Sequence, residues 1–133
     1  GCRSFAIAAC IPPPLEVAPV NIVILQGRVS ADPVIRTLPS GEEVMDLQVN
    51  VARSDGPADS VPVVRHDPTA VMRKLRVDDR IVVVGRVQRR FFRAGGSLAS
   101  RTEVVAADIL RASETARVSR LLGRTAEIVM HVG

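Results

Sequence analysis

A chain of 133 residues and 14.3 kDa has room for one domain with a proper core plus terminal extensions, and too little for two. Its net charge of +4 and pI near 10.4 favour a polyanionic partner, and of its eighteen basic residues only Lys74 is a lysine, so bidentate, stacking-competent guanidiniums dominate. Apolar residues make up 47%, but Trp and Tyr are absent and the aromatics are Phe5, Phe91 and Phe92; Cys2 and Cys10 imply neither a disulfide framework nor a zinc site.

Residues 1–19 end in Pro12-Pro13-Pro14 and Pro19, which predicts an extended arm and not a ladder strand. Its apolar stretch, Phe5 to Ile11, is far too short to span a membrane, so the expected setting is a reducing cytoplasm without membrane association. Val20 to Val29 reads as a strand, with Gly27 where a bulge or barrel bend falls, and Asp32-Pro33 breaks it. After the turn at Leu38-Pro39-Ser40-Gly41, Met45, Leu47, Val49 and Val51 alternate with Asp46, Gln48 and Asn50, the pattern of a half-buried strand. A polar loop follows, then a shorter third strand from Val61 to Arg65, weakened by Pro62.

Asp67-Pro68 resembles an N-cap with proline in the first helical position, and Ala70, Val71 and Leu75 supply a short apolar stripe. The next stretch changes character partway along. Ile81 to Val84 is β-branched and fit for burial, whereas the residues beyond carry Arg86, Arg89, Arg90 and Arg93 around Phe91 and Phe92. Ala94-Gly95-Gly96-Ser97 is a hairpin tip, and a final strand runs from about Leu98 to Leu110, Thr102, Val104, Ala106 and Asp108 alternating with Glu103, Val105, Ala107 and Ile109. From Gly85 to Thr102 there are five arginines and no acid. In the tail, Ser113 is an N-cap candidate, and Ala116, Val118, Leu121 and Leu122 give one apolar face before Gly123.

The fold class is therefore all-β. Five strands with a short helix between the third and fourth is the order of the OB-fold, a small Greek-key barrel that binds oligonucleotides or oligosaccharides. The domain spans residues 20–112, with the arm at 1–19 before it and an extension at 113–133, helical by its spacing, after it.

Guanidiniums beside an exposed aromatic suit a nucleic-acid strand, because the cations meet phosphates and the ring meets bases. Strand parity places Phe92 with Arg86, Gln88 and Arg90 on the polar face and Phe91 with Ile81, Val83 and Val87 on the core face; a bulge reverses the roles. Arg86, Arg90 and Arg93 lead the phosphate candidates, Arg89 sits among them, and Arg28, Arg36, Arg53 and Arg65 follow. Gln48 and Asn50 lie on the polar face of their strand. Catalysis finds no foothold: His66 and His131 lack partners at a useful spacing, and no acid cluster suits a metal, so neither a cofactor nor a metal is expected.

Several segments together resemble the bacterial single-stranded DNA-binding proteins. Asn21 to Val29 is similar to their opening N-x-V-x-L-x-G-x-L, Asp32-Pro33-Val34-Ile35-Arg36 to D-P-E-x-R, Pro39-Ser40-Gly41 to a P-N-G turn, Ile81 to Val87 to the strand ending in G-x-L, and Arg101 to Val105 to T-E-V-V. The resemblance covers roughly residues 20 to 110. It implies an OB-fold, usually a homotetramer, that wraps single-stranded DNA without sequence preference in replication, repair or recombination. On that pattern Phe92 falls at a stacking Trp and Arg90 at a basic residue before it. The family's other stacking positions fall near Asp55, Val61 to Val63 and His66, where no aromatic stands, and the chain stops at His131-Val132-Gly133 without the acidic tip that recruits partners. Losing stacking platforms worth about 1–3 kcal/mol each implies a weaker, more salt-sensitive binder. The missing aromatics equally suit a second reading, an OB-fold assembly subunit with weak or no nucleic-acid binding.

Overall fold

The computed structural model describes residues 19–130. The arm expected at 1–19 lies outside the described residues except for Pro19, as do Cys2, Cys10 and His131. The chain divides into one unit spanning residues 21–120 and a second that includes residues 121–130.

In the first unit, β1 (Val23–Val29), β2 (Val34–Thr37), β3 (Glu43–Val51), β4 (Asp59–His66), β5 (Arg80–Ala94) and β6 (Ser97–Arg111) form one sheet in the order β1-β5-β6-β4-β3-β2. A further pairing of β1 with β3, Arg28 opposite Asn50 and Val29 opposite Val49, closes five of these strands into a barrel. β4 and β6 meet in parallel at Val63 and Val64. This is the expected Greek-key OB barrel. β2 is an addition to it. Four residues after Asp32-Pro33 gave no readable alternation, but they pair with β3 from Val34 opposite Asp46 to Thr37 opposite Glu43 and extend the sheet's outer face.

Alternate side chains fill the barrel because each strand turns one face inward. Met45, Leu47 and Val49 of β3 meet Val63 of β4, Ile81 and Val83 of β5, and Val104, Ala106 and Ile109 of β6. Two glycines allow the strands to approach. A Cβ on Gly27 would overlap the Asn50 carbonyl of β3, and one on Gly85 would overlap the Val105 carbonyl of β6, so neither crossing tolerates a side chain. At Gly85 the register with β6 also skips: Val84 faces Asp108 and Gly85 faces Ala106, leaving Ala107 as an extra residue. The alternation expected along the last strand therefore breaks there, and Ile109 turns inward with Val104 and Ala106.

The helix expected after Asp67 is a single 3-10 turn, Met72–Lys74. Asp67 has φ of 51° and cannot start a helix; Thr69 is the residue whose hydroxyl accepts from the Met72 amide, at 3.2 Å. The buried stripe is Met72 and Leu75, both in the core, while Val71 is exposed. His66, expected in a loop, is the last residue of β4, its Nδ1 3.5 Å from Glu42.

Side chains tie the loops down. Asp32 accepts from the Val77 amide at 2.9 Å and holds the turn before β5. Asn21 acts as one more rung of the ladder: its Nδ2 donates to the Val87 carbonyl at 2.8 Å and its Oδ1 accepts from the Val87 amide at 2.9 Å, just beyond the point where β1 stops pairing. Asn21→Ala removes both bonds at an exposed position, so chemical denaturation should show a loss of about 1–2 kcal/mol, with the slope against denaturant unchanged.

After β6 comes the single α-helix of the described residues, α1 (Thr115–Met130), which continues through Gly123. In the second unit Leu121 and Thr125 are buried, with the Thr125 hydroxyl donating to the Leu121 carbonyl at 2.9 Å.

Candidate nucleic-acid interface

β5 and β6 stay paired to the tip, where Ala94 faces Ser97 across Gly95 and Gly96. Both glycines have positive φ, 58° and 83°, as a tight two-residue hairpin turn demands. β1 leaves β5 at Gly85, and β4 touches β6 only near Val104 and Val105, so from about Phe91 outward the hairpin is a two-stranded ribbon exposed on both faces.

That geometry corrects the reading of Phe91. Parity does put it in line with Ile81 and Val83, but the barrel interior ends before the ribbon begins. Phe91 is 61% exposed, more than Phe92 at 39%. Phe92 lies on the opposite face, with Arg86, Gln88 and Arg90, and the bulge falls on β6, so it does not exchange the two. Each ring carries an arginine: Arg89 Cζ is 5.6 Å from the Phe91 centroid and Arg90 Cζ is 5.7 Å from that of Phe92. The ribbon thus shows a cation–aromatic pair on each face. Arg89 is steadied by Ser100 Oγ at 3.1 Å.

The other arginine candidates divide by partner. Arg86 and Arg93, with Arg28, make no ion pair or side-chain hydrogen bond among the described residues. Arg36 pairs through Nε and Nη2 with both Asp46 oxygens, which raises its pKa above the ordinary value, the nearby Glu103 charge adding to the effect. Arg53 is likewise raised, chiefly by its hydrogen bonds to Asp55 with Asp59 helping, and its guanidinium holds Asp55 below the usual carboxylate range. Arg65 donates to the Ala107 carbonyl. Arg36, Arg53 and Arg65 are therefore each occupied by a partner within the first unit.

Arg90 is occupied in a different way. Its Nε lies 3.6 Å from Glu103, which is 3% exposed, and Arg101 Nε lies 3.8 Å from the same carboxylate. Gln88 Nε2 donates to Glu103 Oε2 at 3.3 Å, while Glu103 Oε1 and Arg90 Nε are buried without a hydrogen-bond partner. Arg90 and Arg101 also line a cleft of about 540 Å³ with Arg36, Asp46, Gln48 and Val34. On this face, then, a buried carboxylate sits beneath two half-exposed guanidiniums.

Glu103 and Arg101 had no place among the candidates chosen from the sequence. The alternation of β6 puts them beside Gln88 and Arg90 once the pairing is known, Arg90 opposite Arg101 and Gln88 opposite Glu103, but a single strand does not reveal its partner's register. Gln48 accepts from Ser60 Oγ at 3.1 Å, and Asn50 lies at the β1–β3 junction instead of the cleft. Among the described residues no group of three or more His, Cys, Asp or Glu side chains suits a metal, and no helix is long and apolar enough to cross a membrane.

Compared with known families, residues 20–112 match the model of the single-strand binding protein family. No curated protein matches the chain significantly.

Proposed function

The chain belongs to the single-strand binding protein family, and we propose that it binds single-stranded DNA without sequence specificity along the β5–β6 ribbon and the cleft beside it. Binding of single-stranded DNA is the property of the family, which is not an enzymatic one. The observation that supports the path is the ribbon itself: two exposed phenylalanines, each under an arginine, within a stretch of five arginines and no acid. Arg86, Arg89 and Arg93 contact phosphates, Arg90 and Arg101 do so from the cleft rim, and Phe91 and Phe92 stack on bases. None of these contacts reads a base edge, which is why the binding is sequence-independent. The protein acts as a homo-oligomer, a tetramer by family resemblance, in cytoplasmic DNA replication, repair or recombination.

Anisotropy of a labelled oligo-dT over a range of salt concentrations tests this reading, the label being needed in a chain with neither Trp nor Tyr. Three to five phosphate contacts should give a slope of log affinity against log salt of about −2 to −4, at about −0.7 per contact on a single strand. Duplex competitor should displace the probe poorly. No binding at low salt would sink the proposal and leave the assembly-subunit reading in its place.

A further inference from the structure

Where the barrel closes, Arg28 of β1 stands directly opposite Arg80 of β5, and Arg28 is also opposite Asn50 of β3. Directly opposed residues of an antiparallel pair have Cβ atoms about 4.5–5.5 Å apart, and like charges placed there repel. Other arginines of the barrel relieve their charge on an acid, as Arg73 does on Glu43 at 2.6 Å and Arg111 on Asp79 at 3.6 Å. Arg28 and Arg80 do not: both are exposed, and neither makes an ion pair or side-chain hydrogen bond among the described residues. With Gln26, Ser30, Asn50 and Asp78 they line a cleft of about 520 Å³. Asp78 is the acid of this cleft, yet it pairs with neither arginine, and the lining keeps a net positive charge.

We propose that the Arg28–Arg80 pair is a phosphate-binding site, separate from the ribbon. Two guanidiniums side by side offer paired N–H donors that match phosphate oxygens, and an anion between them removes the repulsion that the fold otherwise carries. The amides of Asn50 and Gln26 supply further donors. Arg80 opens β5 and Phe92 lies near its end, about 40 Å away along the strand at roughly 3.3 Å per residue. A short oligonucleotide on the ribbon does not reach the pair; a longer one does. The inference rests on single-stranded DNA binding for the source of the phosphate, although a free phosphate has the same chemistry.

The test compares wild-type protein with Arg80→Gln and with Arg28→Gln/Arg80→Gln, on labelled oligo-dT of about 4 and about 30 nucleotides, the shorter matching the smallest site size of an OB-fold and too short to span both sites. Removing one of two opposed like charges does not unfold a barrel, and thermal unfolding confirms this for each variant. On the longer probe each substitution should lower the magnitude of the salt slope by about 0.7 and weaken binding about 3- to 10-fold, with the shorter probe unaffected. A second arm adds inorganic pyrophosphate: stabilisation of the wild type that the double variant loses identifies free phosphate as the ligand. If the wild type binds oligo-dT while the double variant keeps its slope, and pyrophosphate stabilises neither, the proposal is overturned. If the wild type binds no oligo-dT, the parent reading fails and the pyrophosphate arm alone decides the site.

Discussion

The double variant Phe91→Ala/Phe92→Ala should lose single-stranded DNA binding by about 2–6 kcal/mol, because each stacked base contributes about 1–3 kcal/mol. The two rings lie on opposite faces of the ribbon, so the single variants report on the path of the strand. Phe92 shares its face with Arg86, Arg90 and the cleft rim, and Phe92→Ala should therefore give the larger single loss. Phe91→Ala should add a smaller loss, from the strand passing round the ribbon edge to meet Arg89. Neither ring packs in the core, since both are exposed, so thermal stability should move little. Unaltered affinity for oligo-dT in the double variant, at a salt concentration where the wild type binds, would rule out stacking on the ribbon.

Much of the barrel was legible because its signals are local and redundant. The alternation of Met45, Leu47 and Val49 against Asp46, Gln48 and Asn50 survives intact, and Gly27 falls where β1 crosses β3. The misreadings have a common origin in tertiary pairing. Parity fixes which face Phe91 shares with Ile81, but whether that face is inside depends on where the barrel stops, and this is decided by the length of β1. The extra residue at Ala107 has no sequence marker of its own; Gly85 on the neighbouring strand is the only sign of it. Asp67-Pro68 satisfied a local helix rule, and the positive φ of Asp67 shows the competing demand, a tight exit from β4 that leaves space for one 3-10 turn. For the site, composition exposed the basic cluster but not its partners. Arg36 and Arg53 have acids ten and two residues away, and only the fold determines that both are used.

The same distinction gives Glu103 its importance. It is the one buried carboxylate among the described residues, and it faces two arginines at distances too long for closed hydrogen bonds. A charge at that depth is weakly screened, so it offsets the positive potential that Arg90 and Arg101 present to a phosphate. Burial also costs the carboxylate part of its solvation, and its Oε1 receives no hydrogen bond in return. Glu103→Gln keeps the shape and leaves an amide able to bond Gln88, but removes the internal counterion. Each arginine released to a phosphate is worth about 1.5–3 kcal/mol as a charge-assisted bond, reduced by its half exposure. The variant should accordingly bind oligo-dT at low salt about 10- to 100-fold more tightly, near 1.4–2.7 kcal/mol, with a salt slope steeper by about 0.7–1.4. If Glu103 instead serves to aim the two guanidiniums, the same variant binds more weakly with its stability unchanged. Anisotropy across a salt series, paired with thermal unfolding, separates the two roles by the sign of the change.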